Sequence, residues 1–155
     1  MHRSLPIIVL TALLCSSLAC SSKKAPEQSF VQSKSVLASL REMSRTYEKK
    51  DLDSFLSDVA PAFPQRADFA KSLTAVFEKY ETIHFNIEYT RLIILIEQKG
   101  PMKATFTWNA EWSRAGGAVK DGGRVTFVLD QDSFKLLSID GKNPFLAQPG
   151  ETPGK

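Results

Sequence analysis

Residues 69–90 read FAKSLTAVFEKYETIHFNIEYT, and the apolar period changes partway through them. Phe69, Leu73, Val76, Phe77 and Tyr80 recur at three- and four-residue steps, the stripe of an amphipathic helix. From Ile83 the step falls to two. Ile83, Phe85, Ile87 and Tyr89 alternate with His84, Asn86, Glu88 and Thr90, the pattern of a half-buried strand. The chain therefore divides into a helical half before Glu81 and a stranded half after it.

Working outward toward the N-terminus, Val36, Leu37, Leu40, Met43 and Tyr47 predict a first helix of about five turns from Phe30. Asp51 is placed to cap a short second helix carrying Leu52, Phe55, Leu56 and Val59, which Pro61 ends and Pro64 separates from the third. Toward the C-terminus, the uninterrupted run Leu92–Ile96 predicts a strand covered on both faces, turned by Gly100-Pro101. Ala104, Phe106, Trp108, Ala110 and Trp112 then share one strand face, with Thr105, Thr107, Asn109 and Glu111 on the other. Gly116-Gly117 and Gly122-Gly123 are expected to bracket a charged loop. Val125–Leu129 and Phe134–Ile139 are expected to form a hairpin about Asp130–Ser133. Helices first and an antiparallel meander afterwards predict an α+β domain, the helices packed on one sheet face.

Composition sets limits on function. Hydrophobic residues are 43% and charged residues 24% of 155, with 10 Phe, 2 Trp and 3 Tyr, enough apolar mass for a packed core. The formal charge is +3, but Arg3, Lys23 and Lys24 account for it, so from Ala25 onward the charges balance. A balanced domain lacks the net basic face that nucleic-acid binding requires. The two cysteines, Cys15 and Cys20, both precede the domain, which leaves it without an internal disulfide.

The opening MHRSLPIIVLTALLCSSLAC has a basic Arg3, an apolar run from Leu5 to Leu14, and small residues at 16, 17 and 19. That is the order of an export signal, and the apolar run covers only about half of a roughly 30 Å hydrocarbon core. Ser17-Leu18-Ala19-Cys20 resembles the lipobox of bacterial lipoproteins, with Ser where Leu is commonest. The resemblance implies cleavage after Ala19, acylation of Cys20 and tethering to the bilayer; two or three acyl chains give stable anchoring. With Ser21 next, it also implies the outer membrane, facing the periplasm, in a host with two membranes. The expected divisions are a signal at 1–19, lipidated Cys20 and a flexible tether through 30, a domain over 31–145, and a loose tail over 146–155.

Tyr47-Glu-Lys-Lys-Asp51-Leu52 closing the first helix, Phe55-Leu56 before a proline-bounded turn, a further helix, and long strands ending Phe134-Lys-Leu-Leu-Ser-Ile-Asp140-Gly141 resemble the nuclear transport factor two-like superfamily. That superfamily includes ketosteroid isomerases and SnoaL-like polyketide cyclases. The resemblance spans residues 31–145. It implies a cone-shaped, strongly curved sheet around the helices, a pocket at the open end, and pairing of two copies through the outer sheet face.

Chemistry is sparse by comparison. His84 is the only histidine past the signal and lies on the polar parity of its strand; without cysteines beside it, no zinc or copper set forms, and no cofactor is expected. No serine or cysteine nucleophile has a base and an orienting partner in a recognisable arrangement, and no phosphate-cradling glycine motif occurs. The isomerase reading would use Asp140 or Glu111 as acid or base and Tyr47, Tyr80 or Tyr89 as donors, but Glu111 is on the face opposite the tryptophans. No catalytic residue is assigned. Tyr47, Phe55, Phe77, Tyr80, Trp108 and Trp112 are the candidate lining of an apolar ligand pocket, and the same residues are equally suited to fill a core. The sequence thus points to a membrane-anchored, non-catalytic module that binds a small apolar ligand or a protein. An isomerase- or cyclase-like enzyme and a structural envelope protein are the alternatives.

Overall fold

The computed structural model describes residues 25–97 and 100–146, with side chains from Phe30 onward. The signal, Cys20 and the tail beyond Leu146 lie outside the described residues. Three helices, α1 (Ala25–Glu48), α2 (Leu52–Ser57) and α3 (Arg66–Lys79), pack on one face of a curved, unclosed antiparallel sheet. Its strands are β1 (Thr82–Ile87), β2 (Ile93–Leu95), β3 (Met102–Arg114), β4 (Gly117–Leu129) and β5 (Leu136–Gly141). The order is β1-β3-β4-β5, and β2 also pairs with β3.

The change of period at Glu81 is where α3 gives way to β1. Phe69, Leu73, Val76 and Phe77 are buried along α3, and Ile83, Phe85 and Ile87 along β1. Asp51 caps α2, accepting from the Ser54 backbone N–H at 3.1 Å. Those hydrogen bonds, with the Ser54 hydroxyl foremost, hold its carboxyl below the usual range. Ala104, Phe106, Trp108, Ala110 and Trp112 all face the helices and are buried.

Five expectations need correction. The stretch expected as tether is helical from Ala25, so α1 starts ahead of the predicted boundary. Tyr89 leaves the strand for a 3-10 turn, Tyr89–Arg91, and its ring is partly exposed. That turn splits one edge path in two: β1 pairs with Trp108–Ser113 of β3, and β2 with Lys103–Thr105. The Leu92–Ile96 run is not covered on both faces. Leu92, Ile94 and Ile96 pack against the core while Ile93 and Leu95 project outward, because β2 is a three-residue edge strand. The last hairpin strand is Leu136–Gly141 rather than 134–139, since Phe134 takes a positive φ of 57° before it.

The fifth concerns the glycines. Gly117 opens β4 and Gly122-Gly123 lie within it, so no loop spans 116–123; the ladder runs unbroken from Arg114↔Gly117 to Met102↔Leu129. Gly122 sits where a Cβ would come within 2.9 Å of the Trp108 carbonyl oxygen, a backbone atom that cannot swing away. Gly122→Ala is therefore expected to destabilise the domain by about 1–3 kcal/mol, read as a lower denaturation midpoint at unchanged m-value. Gly123→Ala, whose Cβ would meet the Trp108 ring at an ordinary 3.8 Å, is the milder comparison.

Candidate functional site

The six residues proposed as pocket lining come together, and all are buried. Tyr47 is their centre. Its ring lies 5.9 Å from Phe55, 5.5 Å from Phe77, 5.7 Å from Phe85 and 5.0 Å from Phe145, centroid to centroid. Trp112 donates its indole N–H to the Tyr47 hydroxyl at 2.7 Å, and Tyr47 donates onward to the Phe145 carbonyl oxygen at 2.6 Å. Burial pushes the Tyr47 phenol far above its ordinary pKa, so it remains a protonated donor in this chain. Phe145 also packs on Phe55 at 4.8 Å, Phe85 at 5.4 Å and Phe127 at 5.6 Å. The aromatic set is thus in contact with itself, and a residue from beyond the last strand occupies its middle.

Phe145 is a residue that sequence reasoning missed. Its only signal is an apolar pair, Phe145-Leu146, behind Asn143-Pro144 in an otherwise polar segment. Asp121 was missed too. On the concave-facing parity of β4, beside Gly123, one of its carboxylate oxygens accepts from Lys142 Nζ at 2.6 Å and from the Gly122 N–H at 2.7 Å. Its other oxygen is buried without a partner, as is the Trp108 indole N–H. The candidate acids Asp140 and Glu111 stand apart from these aromatics. Asp140 is exposed at the end of β5, and Glu111 pairs with Lys120 at 3.0 Å on the outer sheet face. Of the candidate donors, Tyr80 is buried at the end of α3, and Tyr89 lies under Arg41, whose guanidinium is 5.5 Å from its ring centre.

The outer face of the sheet carries a groove of about 400 Å³ across β1, β3 and β4. Its floor is the aligned row Phe85, Ala110 and Asp121; its walls are His84, Asn86, Asn109, Glu111 and Lys120. The cause is local, since Asn109 faces Gly122 across the ladder and the missing side chain leaves a notch. At the sheet edge, the Glu48 carboxylate accepts from the Phe85 backbone N–H at 2.8 Å, occupying a donor that an edge strand otherwise offers to any passing chain. His84 is exposed, as expected, and the side chains of His84, Asn86 and Asn109 make no hydrogen bond among the described residues. Among those residues no group of three or more His, Cys, Asp or Glu is gathered to hold a metal ion.

No family profile matches this chain, and no curated protein does. Solved structures do. A nuclear transport factor 2 (NTF2-like) superfamily protein from Salmonella enterica serovar Typhimurium LT2 superposes with a TM-score of 0.62 at 12% identity, over 82% of this chain and 99% of that one. The beta subunit of benzoate 1,2-dioxygenase from Burkholderia mallei gives 0.55 at 16% identity, over 67% and 85%. AusH from Aspergillus nidulans gives 0.55 at 10% identity, over 67% and 80%. At such identities the likeness speaks for architecture alone, and three helices on a curved, open antiparallel sheet make this an NTF2-like, SnoaL-like α+β fold.

Proposed function

We propose that this chain is a lipid-anchored, non-catalytic interaction module whose working surface is the outer face of its sheet. One observation carries the reading. Phe145 and the Trp112–Tyr47 hydrogen-bond chain occupy the concave side, while the outer groove offers an imidazole and two carboxamides with no partner among the described residues. Mixed donors and acceptors over a notch suit recognition of a polar protein surface. Glu111 and Lys120, already paired, help fix the register of whatever docks. A second copy of the chain, joined through this face, is one such partner.

The test is a photo-crosslinking side chain placed at Asn109 in the native host, with the same side chain at exposed Lys71 on α3 as control. A discrete adduct at position 109 alone is expected. Adducts of the same pattern at both positions, or none at either, would remove the outer face as a docking surface. Sizing the purified adduct separates a second copy from a different protein.

The anchoring half of the proposal rests on the order of signal, Ala19 and Cys20 in the sequence. No helix of the described residues is long and apolar enough to cross a membrane. Cys20→Ser is expected to release the protein from membranes or leave the precursor uncut. A correctly cleaved Cys20→Ser protein that stays in the membrane fraction would end the lipidation reading.

The unpartnered Trp108 N–H and Asp121 oxygen favour a second reading, a small polar molecule held on the concave face. Native mass spectrometry of the purified protein decides it. A stoichiometric small-molecule adduct that Asp121→Asn abolishes would establish this reading and displace the first.

A further inference from the structure

The edges of the sheet are finished differently. Along β1, Glu48 takes the Phe85 N–H. The start of β5 is covered by the segment after α2: the Leu136 N–H donates to the Asp58 carbonyl at 2.8 Å, and the Ala60 N–H to the Leu136 carbonyl at 2.9 Å. β4 has 13 residues and β5 only 6, paired over Val125–Leu129, so β4 runs on toward the hairpin with no strand beside it among the described residues. The uncovered stretch, Ala118–Gly123, is about 20 Å long.

Pairing fixes which of its amides are free. In an antiparallel sheet the N–H and C=O of one residue point to one side and those of the next residue to the other. The Phe85 N–H points away from β3, toward Glu48, and the Glu88 N–H donates to the Thr107 carbonyl at 2.9 Å, so odd-numbered residues of β3 bond toward β1 and even-numbered ones toward β4. Through the pairs Ala110↔Asp121 and Trp112↔Val119, those even residues meet odd residues of β4. Ala118, Lys120 and Gly122 therefore direct their N–H and C=O groups out of the sheet edge. The Gly122 N–H agrees, since it donates to the Asp121 carboxylate at 2.7 Å, an oxygen standing where a neighbouring strand's carbonyl would lie. An edge of this kind is a template for a further strand.

Side chains decide which strand fits. Lys120, Gly122 and Arg124 follow one another on the outer face of this edge, all exposed. Lys120 shares its charge with Glu111 at 3.0 Å, and Arg124 has no ion-pair partner among the described residues, although Asp140 is exposed on β5. On the inner side Val119 packs against the core, and Lys142 holds Asp121 at 2.6 Å. A strand with acidic residues on its outer face meets both cations across the new ladder. A second copy paired about a two-fold axis meets its own charges instead: the registers that overlap most place Lys120 opposite Lys120, Asp121 opposite Asp121, or Lys120 opposite Arg124.

We propose that the free edge of β4 takes up an extended acidic peptide of another protein as an added strand, its backbone bonded to Ala118, Lys120 and Gly122 and its carboxylates facing Lys120 and Arg124. An incoming carbonyl displaces Asp121 from the Gly122 N–H, and Lys142 keeps the freed carboxylate paired. The proposal concerns the sheet edge, and it holds or fails independently of docking on the outer groove.

The test uses the mature chain, kept in solution as Cys20→Ser, with two probes, the peptides (Glu-Val)4 and (Lys-Val)4. Amide exchange is followed residue by residue. (Glu-Val)4 is expected to slow exchange about tenfold at Ala118 and Lys120 and to leave Val119 and Asp121, whose amides already bond β3, unchanged, whereas (Lys-Val)4 slows none of them. Arg124→Glu, at an exposed side chain without a partner, weakens (Glu-Val)4 several-fold, as does high salt. Ala118→Pro removes one outward N–H while sparing the ladder to β3, and it also weakens the peptide, so one variant decides if the other fails to fold. Equal slowing at Val119 and Asp121, equal binding of the two peptides, or no slowing at all would overturn the proposal. So would slowing at Ala118 and Lys120 that grows with protein concentration in the absence of peptide, the mark of a second copy. A discrete adduct at Asn109 without peptide protection of Ala118 and Lys120 would leave the outer-face reading standing and remove the edge.

Discussion

Phe145→Ala is expected to destabilise the domain by about 3–5 kcal/mol, the range for emptying a large aromatic site in a core that cannot collapse around it. The site cannot collapse because its walls are Tyr47, Phe55, Phe85 and Phe127, fixed on α1, α2, β1 and β4, and no single element can move in to fill the space. Chemical denaturation should show a much lower midpoint. The variant also opens a volume bounded by Tyr47, Phe55, Phe85 and Phe127, and an apolar probe such as benzene should raise the variant's midpoint while leaving the parent's unchanged. A loss below about 1 kcal/mol would mean that Phe145 packs loosely and that the concave side is open in solution.

The second large effect belongs to Tyr47→Phe, which removes a single oxygen. Trp112 then has no acceptor for its indole N–H and Phe145 no donor for its carbonyl, and both groups are buried. At about 1–3 kcal/mol for each orphaned buried group, a total of about 2–6 kcal/mol is expected. Trp112→Phe, by contrast, leaves the Tyr47–Phe145 bond in place, and its cost is mainly lost volume. The two substitutions share one hydrogen bond, so the double variant should fall short of their summed effects by about 1 kcal/mol or more. Strict additivity would show that the chain of donors contributes nothing as a unit.

How much of this was legible beforehand depends on how local each feature is. The helix-to-strand change at Glu81 and the inward face of β3 are written in periods of 3.6 and 2, which nearest neighbours reveal. The cap at Asp51 is likewise a matter of a few residues. The Leu92–Ile96 run misled because an apolar run looks the same whether covered on two faces or one, and only the sheet order, unknowable locally, makes β2 an edge. Gly122-Gly123 misled for a related reason: glycine pairs usually mark turns, and here one of them makes room for the Trp108 carbonyl on the neighbouring strand. Of the candidate site, the six aromatics were found by parity. The residue that fills the space between them was not, because Phe145 belongs to no periodic element, and neither was Asp121, whose inward parity emerges only once Gly122-Gly123 is recognised as strand.

The hydrogen bond from Tyr47 to Phe145 spans 98 positions of sequence, and Phe145 follows every helix and strand of the domain. A ribosome adding about 5–20 residues per second therefore produces Tyr47 some 5–20 s before its acceptor exists. Over that interval α2, α3 and the five strands are added in turn, and the hydrogen-bond chain from Trp112 through Tyr47 to Phe145 is completed only after the last of them. The hydrogen-bonded centre of the domain is therefore the last part that synthesis makes possible.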